Sequence, residues 1–213
     1  MSKVRIQSPE KIDCTYISQA ISGVFCYYIK MNSDSPFDVT ETRVAYENPW
    51  IKVREDKIVR KNGKTGIYGY LEVGESVVVV AVDNEGKVCL VESYRHPFSE
   101  WYWELPGGGG DGENILLASK RELEEETGVI AQEWEVLGKA RVCNGLSTEW
   151  QVNVLARNVS YGDFTQQEDE TRARKFVSID ELDEMIQNGE FEDNQSITAL
   201  YMYKLWLEKQ VSL

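Results

Sequence analysis

The stretch Glu104–Val129, ELPGGGGDGENILLASKRELEEETGV, constrains this chain more than any other. A glycine-rich turn opens a segment that carries one arginine and four glutamates between Arg121 and Glu126. Counted from Gly107, five residues precede Glu113, and seven more precede Arg121-Glu122-Leu123. Glu125-Glu126 and Gly128-Val129 then follow at single-residue gaps. At about 100° per residue, Glu122, Glu125 and Glu126 fall within roughly a 100° arc of one helix face. Leu116 and Leu123, seven apart, share a different side, where a core would want them. Crowded carboxylates on a helix cost about a few tenths of a kcal/mol per like-charged pair, and glutamates late in a helix oppose its macrodipole. A hard divalent cation between them removes both penalties, and oxygen donors in this number suit Mg²⁺ or Mn²⁺. A solvated acidic face is the plainer alternative. The ordered spacing and the glycine loop ahead of it argue for the cation.

The segment resembles the Nudix box of the Nudix hydrolases, with all nine defining positions filled. The resemblance implies an α/β fold: an α/β/α sandwich with a mixed sheet. It also implies Mg²⁺-dependent cleavage of a phosphoanhydride in a nucleoside diphosphate linked to another moiety. Glu122 and Glu126 are then the expected metal ligands, and Glu125 a further ligand or a group behind them. Arg121 resembles the family arginine that orients a box glutamate, or else makes a surface ion pair, and Glu113 ties loop to helix. Gly107 offers a backbone carbonyl to the metal, although the Pro106–Glu113 loop is one residue shorter than is usual in the ADP-ribose pyrophosphatase branch.

The balance of 23 basic against 36 acidic residues, −13 overall, repels nucleic acid and anionic membranes. A small anionic substrate needs local cations to approach such a surface. Cys14, Cys26, Cys89 and Cys143 lack CxxC spacing and His96 is the sole histidine, so neither a zinc site nor a Ser-His-Asp mechanism is expected. The cysteines read as reduced thiols of a cytoplasmic protein. Ala20–Ile29 is apolar but too short to span a bilayer, and its surroundings do not suggest a signal peptide. Residues 1–36 read as an extension of unknown role, with Met31 an alternative start.

From Thr42 to Val73 the pattern predicts short strands: Arg43–Tyr46, Trp50–Arg54, Lys57–Arg60 and Ile67–Val73, with an Asn62-Gly63 hairpin turn. An antiparallel β subdomain at 37–75, ahead of a domain at 76–213, again resembles the ADP-ribose pyrophosphatase branch. There such strands help to build a homodimer and part of the nucleotide site. Val77–Val82 is a β-branched run that predicts a strand buried on both faces. Strands follow at Lys87–Tyr94, Trp101–Leu105, Trp134–Val142, Gln151–Arg157 and Ala173–Val177. Ser178 and Glu181 form a capping box for a helix to Gln187. A last helix runs from about Ser196 to Lys209, with Ile197, Leu200, Tyr201 and Leu205 expected in the core.

Gln167–Glu170 is an acidic loop before a strand. Its Glu168 and Glu170 resemble the family's general base and further metal ligand; a solvated loop is the alternative. Arg95 resembles an arginine near the substrate phosphates, with an edge-strand ion pair nearly as well supported. Asn144–Glu149 resembles the loop over the terminal ribose, with Glu149 in contact. Trp50 or Trp101 can stack on adenine, although burial in the core is the commoner fate of either. These readings favour ADP-ribose, giving AMP and ribose 5-phosphate. Another nucleotide sugar such as GDP-mannose, or a Nudix-like module that binds nucleotide without turnover, are the alternatives.

Overall fold

Alternation along one strand organises the molecule. The computed structural model describes residues 34–110, 112–162 and 171–211. In β4 (Glu75–Ala81), Val77 to Ala81 are all buried. Val78 and Val80 join one core cluster, while Val79 and Ala81 join another. Successive side chains of a strand point to opposite faces, so a continuous apolar run demands cover on both.

The cover is helical. Leu123 of α1 (Ile115–Thr127) packs with Val79, Ala81 and Cys89, and Leu182, Ala199 and Leu200 pack with Val78, Val80 and Leu155. Leu182 belongs to α2 (Ile179–Asn188), and Ala199 and Leu200 to α3 (Asn194–Val211). This is the α/β/α sandwich. Leu123 is wholly buried, and Leu123→Ala is expected to cost about 3 kcal/mol in a denaturant titration.

The remaining strands are β1 (Phe37–Glu47), β2 (Lys52–Arg60), β3 (Thr65–Glu72), β5 (Val88–Arg95), β6 (Glu100–Glu104), β7 (Gly107–Gly109), β8 (Val129–Arg141), β9 (Trp150–Tyr161) and β10 (Thr171–Val177). They form a mixed sheet in the order β7-β4-β9-β8, a sheet β10-β5-β6, and an antiparallel amino-terminal sheet β1-β2-β3. Only the β4–β9 pair is parallel among the described pairs. Among the described residues no helix is long and apolar enough to cross a membrane.

Several boundaries differ from expectation. The strands expected at Trp50–Arg54 and Lys57–Arg60 are one strand, β2, which starts only at Lys52 and leaves Trp50 and Ile51 outside it, because β1 and β3 pair along nearly its whole length. The Asn62-Gly63 turn is present, with Gly63 at φ 79°. Gly107–Gly109, read as a turn, pairs with Ser76–Val78. Gly128 caps α1 in the left-handed region at φ 66°, and β8 starts at once after it. Leu116 lies on the angular side of Leu123, yet the first turn of α1 reaches solvent and leaves it 36% exposed. In α3 the buried stripe is Ser196, Ala199, Leu200 and Tyr203; Tyr201 and Leu205 fall outside it and are exposed.

Candidate active site

The box helix starts and stops for local reasons. Asn114 caps its first turn by accepting from the Leu116 N–H at 3.0 Å, and Gly128 closes its end through a bond to the Glu124 carbonyl. Ala118, Ser119, Leu123 and Thr127 are buried, which turns Glu122 and Glu126 toward the glycine loop.

Glu126 Oε2 accepts from the Gly107 N–H at 2.8 Å. Burial pushes its carboxyl up to about 8; the Gly107 bond pulls it back and the neighbouring Glu122 drives it further up. Glu122 lies directly against Gly108, where an added Cβ would sit 2.5 Å from Oε1. At Gly107 an added Cβ would meet the Val77 carbonyl oxygen at 2.3 Å. The polyglycine loop is therefore a requirement of close packing against strand and carboxylate. Arg121 bonds Glu113 at 3.3 Å, Glu122 at 3.0 Å and Glu125 at 3.2 Å, and reaches the Gly109 carbonyl at 3.3 Å. It ties loop to helix and holds three carboxylates that would otherwise repel one another.

A cleft of about 590 Å³ opens beside this loop, lined by Trp50, Glu72–Val78, Arg95, Glu104, Leu105, Gly107–Gly110, Glu149, Asp193 and Gln195, among others. Three expected substrate contacts, Trp50, Arg95 and Glu149, thus share one cavity with Gly107. Trp50 is 85% exposed, which overturns the expectation that it sits in the core: it follows Pro49 in the β1–β2 connection, outside either strand. Trp101 is half-buried and packs at a tilt against Tyr94, with ring centroids 5.4 Å apart, outside the cleft lining.

Both readings of Arg95 meet in the structure. Its guanidinium grips both carboxylate oxygens of Glu104, with Nε at 2.9 Å and 3.0 Å, and it also faces the cleft. Glu104 is 4% exposed, and burial raises its carboxyl while Arg95 opposes the rise. Arg95→Ala leaves that carboxylate without its partner, so a loss of about 1–3 kcal/mol is expected in thermal or denaturant unfolding. Glu149 Oε1 accepts from Gln195 at 3.3 Å.

The sequence reading missed Glu104, Asp193 and Gln195. Asp193 caps α3 by accepting from the Ser196 N–H at 2.7 Å, so an Asp-x-x-Ser cap signal was available to place it. Glu168 and Glu170 lie in 163–170, outside the described residues.

The lining described above holds five carboxylates, Glu72, Glu75, Glu104, Glu149 and Asp193, against the single cation Arg95. Such a cleft repels a polyphosphate unless cations accompany it. Among the described residues no group of three or more His, Cys, Asp or Glu stands ready to hold a metal. Glu122 and Glu126 are hard oxygen donors packed against the glycine loop, and a buried carboxylate whose charge the fold opposes is chemically suited to a divalent ion. Cys89 takes no part, since burial pushes its thiol up to about 12.

The sequence comparisons say which family carries such a fold and glycine-loop helix. The NUDIX domain model matches residues 73–200, and that of the nucleoside diphosphate sugar hydrolase N-terminal domain matches 37–71. The chain belongs to the Nudix family, whose members act on nucleoside diphosphate derivatives and generally use divalent metal ions.

Within the family the likeness is to ADP-ribose pyrophosphatases. That of Mycobacterium tuberculosis is 30% identical over 119 residues, 55% of this chain and 58% of that protein, so little more than half of that relative is matched. The ADP-ribose pyrophosphatase of Bacillus subtilis is 27% identical over 147 residues, 68% of this chain and 80% of that protein. The methanol dehydrogenase activator of Bacillus methanolicus is 26% identical over 168 residues, 78% and 91% of the two chains. The crystal structure of an ADP compounds hydrolase shares the fold, with a TM-score of 0.74 at 19% identity over 84% of this chain and 98% of that one.

Proposed function

We propose that this chain is a Mg²⁺-dependent pyrophosphohydrolase that splits ADP-ribose into AMP and ribose 5-phosphate. The observation that carries the reading is Glu126, a largely buried carboxylate near Glu122 that is bonded to the N–H of Gly107, itself a lining residue of the acidic cleft. Glu122, Glu126, Glu170 and the Gly107 carbonyl are the groups that would hold Mg²⁺, with Mn²⁺ an acceptable substitute. When bound, the metal shields phosphate charge and lowers the barrier to attack by water.

The chain's own residues do the rest. Arg121 fixes Glu122 and Glu125 in place by ion pairing. Arg95, anchored by Glu104 with its face to the cleft, offers guanidinium N–H groups to substrate phosphate. Glu149 receives hydroxyls of the terminal ribose, and the exposed Trp50 ring stacks on adenine. Glu168 takes the proton from the attacking water. One P–O bond to the bridging oxygen breaks, the water oxygen joins the attacked phosphorus, and the bridging oxygen leaves on the other phosphate.

A second reading, another nucleoside diphosphate sugar, is favoured by the match of residues 37–71 to the nucleoside diphosphate sugar hydrolase N-terminal domain. The discriminating experiment offers the protein ADP-ribose, GDP-mannose, dinucleotides and nucleoside triphosphates with Mg²⁺ and follows products by ³¹P NMR. Fastest turnover is expected for ADP-ribose, and preference for a triphosphate would overturn both readings. A homodimer through the amino-terminal sheet is supported by Val44, Tyr46 and Ile67, which are 42%, 57% and 66% exposed on β1 and β3. Light scattering is expected to give twice the 24.4 kDa chain mass, and Ile67→Lys to shift it toward monomer. A monomeric wild type would remove the dimer from the account.

A further inference from the structure

Two amides sit where the core would accept apolar side chains. Gln151 and Asn153 of β9 are 1% and 0% exposed. Alternate residues of a strand share a face, and the next position on theirs is the core residue Leu155. Buried amides cost free energy unless they find partners. Here the partners lie in α3. Gln151 Nε2 donates to the Gln195 carbonyl at 2.7 Å and also to Asn153 Oδ1, and Asn153 Nδ2 reaches Met202 Sδ at 3.2 Å. These contacts tie α3 to one register on β9, because sliding it would leave each group unpaired. The same helical turn is tied to the glycine loop: Ser196 Oγ accepts from the Leu105 N–H at 2.8 Å, two residues before Gly107.

The first turn of α3 thereby carries the Gln195 side chain to the cleft wall. Its Nε2 donates to Glu149 Oε1 at 3.3 Å and to Ser76 Oγ at 3.4 Å, and Ser76 pairs with Gly109 of the glycine loop. Both bonds lie at the long end of the range. Among the described residues, however, no lysine or arginine forms an ion pair with Glu149. Glu72, Glu75 and Asp193 line the same cleft, and repulsion from them favours a Glu149 carboxylate turned out to water. The Gln195 amide opposes that. Being neutral, it leaves the carboxylate its charge, and so its strength as an acceptor for hydroxyl groups.

We propose that Gln195 is a positioning residue for recognition of the sugar. It holds the Glu149 carboxylate in the cleft and so sets affinity for the sugar end of the substrate rather than the rate of phosphate chemistry. The inference rests on the reading of Glu149 as the sugar contact.

The test uses the full chain with Mg²⁺ and ADP-ribose and measures kcat and KM separately. Gln195→Ala is expected to raise KM about five- to tenfold, with kcat changed by about twofold or less. Gln195→Glu keeps the shape but faces Glu149 with a second carboxylate, and is expected to raise KM by about tenfold or more. Glu149→Ala is expected to raise KM at least as far as Gln195→Ala does. Adding Gln195→Ala to it then changes KM by less than about twofold, because nothing is left to hold. Partial misfolding lowers apparent kcat and leaves KM alone, so the split separates positioning from a merely structural role. An unchanged KM in Gln195→Ala, a loss confined to kcat, or full additivity of the two changes would each overturn the proposal and leave the hydrolase reading in place. An unchanged KM in Glu149→Ala would overturn it as well. Absence of ADP-ribose turnover in the wild type would instead overturn the reading itself, and this inference with it.

Discussion

Glu126→Gln is expected to remove most turnover, about a hundredfold or more in kcat/KM, while making the metal-free protein more stable at neutral pH. The second half follows from the raised carboxyl. In the folded protein it titrates at about 8, against an ordinary value of 4.5, so between those pH values the folded state holds a proton that the unfolded state has released. The metal-free wild type therefore loses this contribution as pH rises through the window. Glutamine does not titrate and can still accept the Gly107 N–H. The variant's advantage is accordingly absent below about pH 4.5, grows as pH rises and levels off above about 8. Its full size is at most about 5 kcal/mol. Mg²⁺ reverses the order, because an ion that binds the folded wild type stabilises it by mass action, and the variant has lost one of its ligands. Urea titrations at pH 5 and pH 8, with and without Mg²⁺, check all three statements. Near wild-type turnover in the variant would remove Glu126 from the metal site.

Gly108→Ala is expected to separate activity from stability in the opposite way. The new methyl group meets Glu122 Oε1 at 2.5 Å, the far end of a flexible side chain, rather than backbone. The carboxylate moves aside at small cost in folding, about 1 kcal/mol or less. The displaced Glu122 is then out of place for its proposed role, and a shift of about an ångström in a metal or substrate contact costs on the order of a hundredfold in rate. Mg²⁺ titration by calorimetry is expected to show weakened binding in a protein that melts nearly as the wild type does. A fully active Gly108→Ala would show that Glu122 does not need its present position.

What could be read from sequence divides along physical lines. The box helix was legible because its spacing places three carboxylates on one face and its closing residue, Gly128, is a local signal, whereas the Asn114 cap emerged only in the structure. The two-faced strand β4 was legible because an unbroken run of valines admits few other environments. By contrast, Trp50 was expected in the core because large aromatics usually pack there, whereas Pro49 and the β1–β2 connection leave it at the rim of the cleft. Arg95 could not be resolved between phosphate and ion pair, since Glu104 lies on a different strand and its grip depends on how β5 and β6 meet. Tyr201 and Leu205 have suitable residue types but lie just off the buried stripe, a distinction that periodicity blurs.

The central claim is that the box helix, through Glu126 and Gly107, and the cleft beside the glycine loop perform metal-dependent hydrolysis of a pyrophosphate bridge. Its most direct test is ³¹P NMR of ADP-ribose turnover in ¹⁸O-water with Mg²⁺. The expected result is AMP and ribose 5-phosphate in equal amounts, with ¹⁸O in the phosphate of one product only and no reaction once the metal is chelated. Unchanged ADP-ribose, or cleavage that continues in the presence of chelator, would contradict the account.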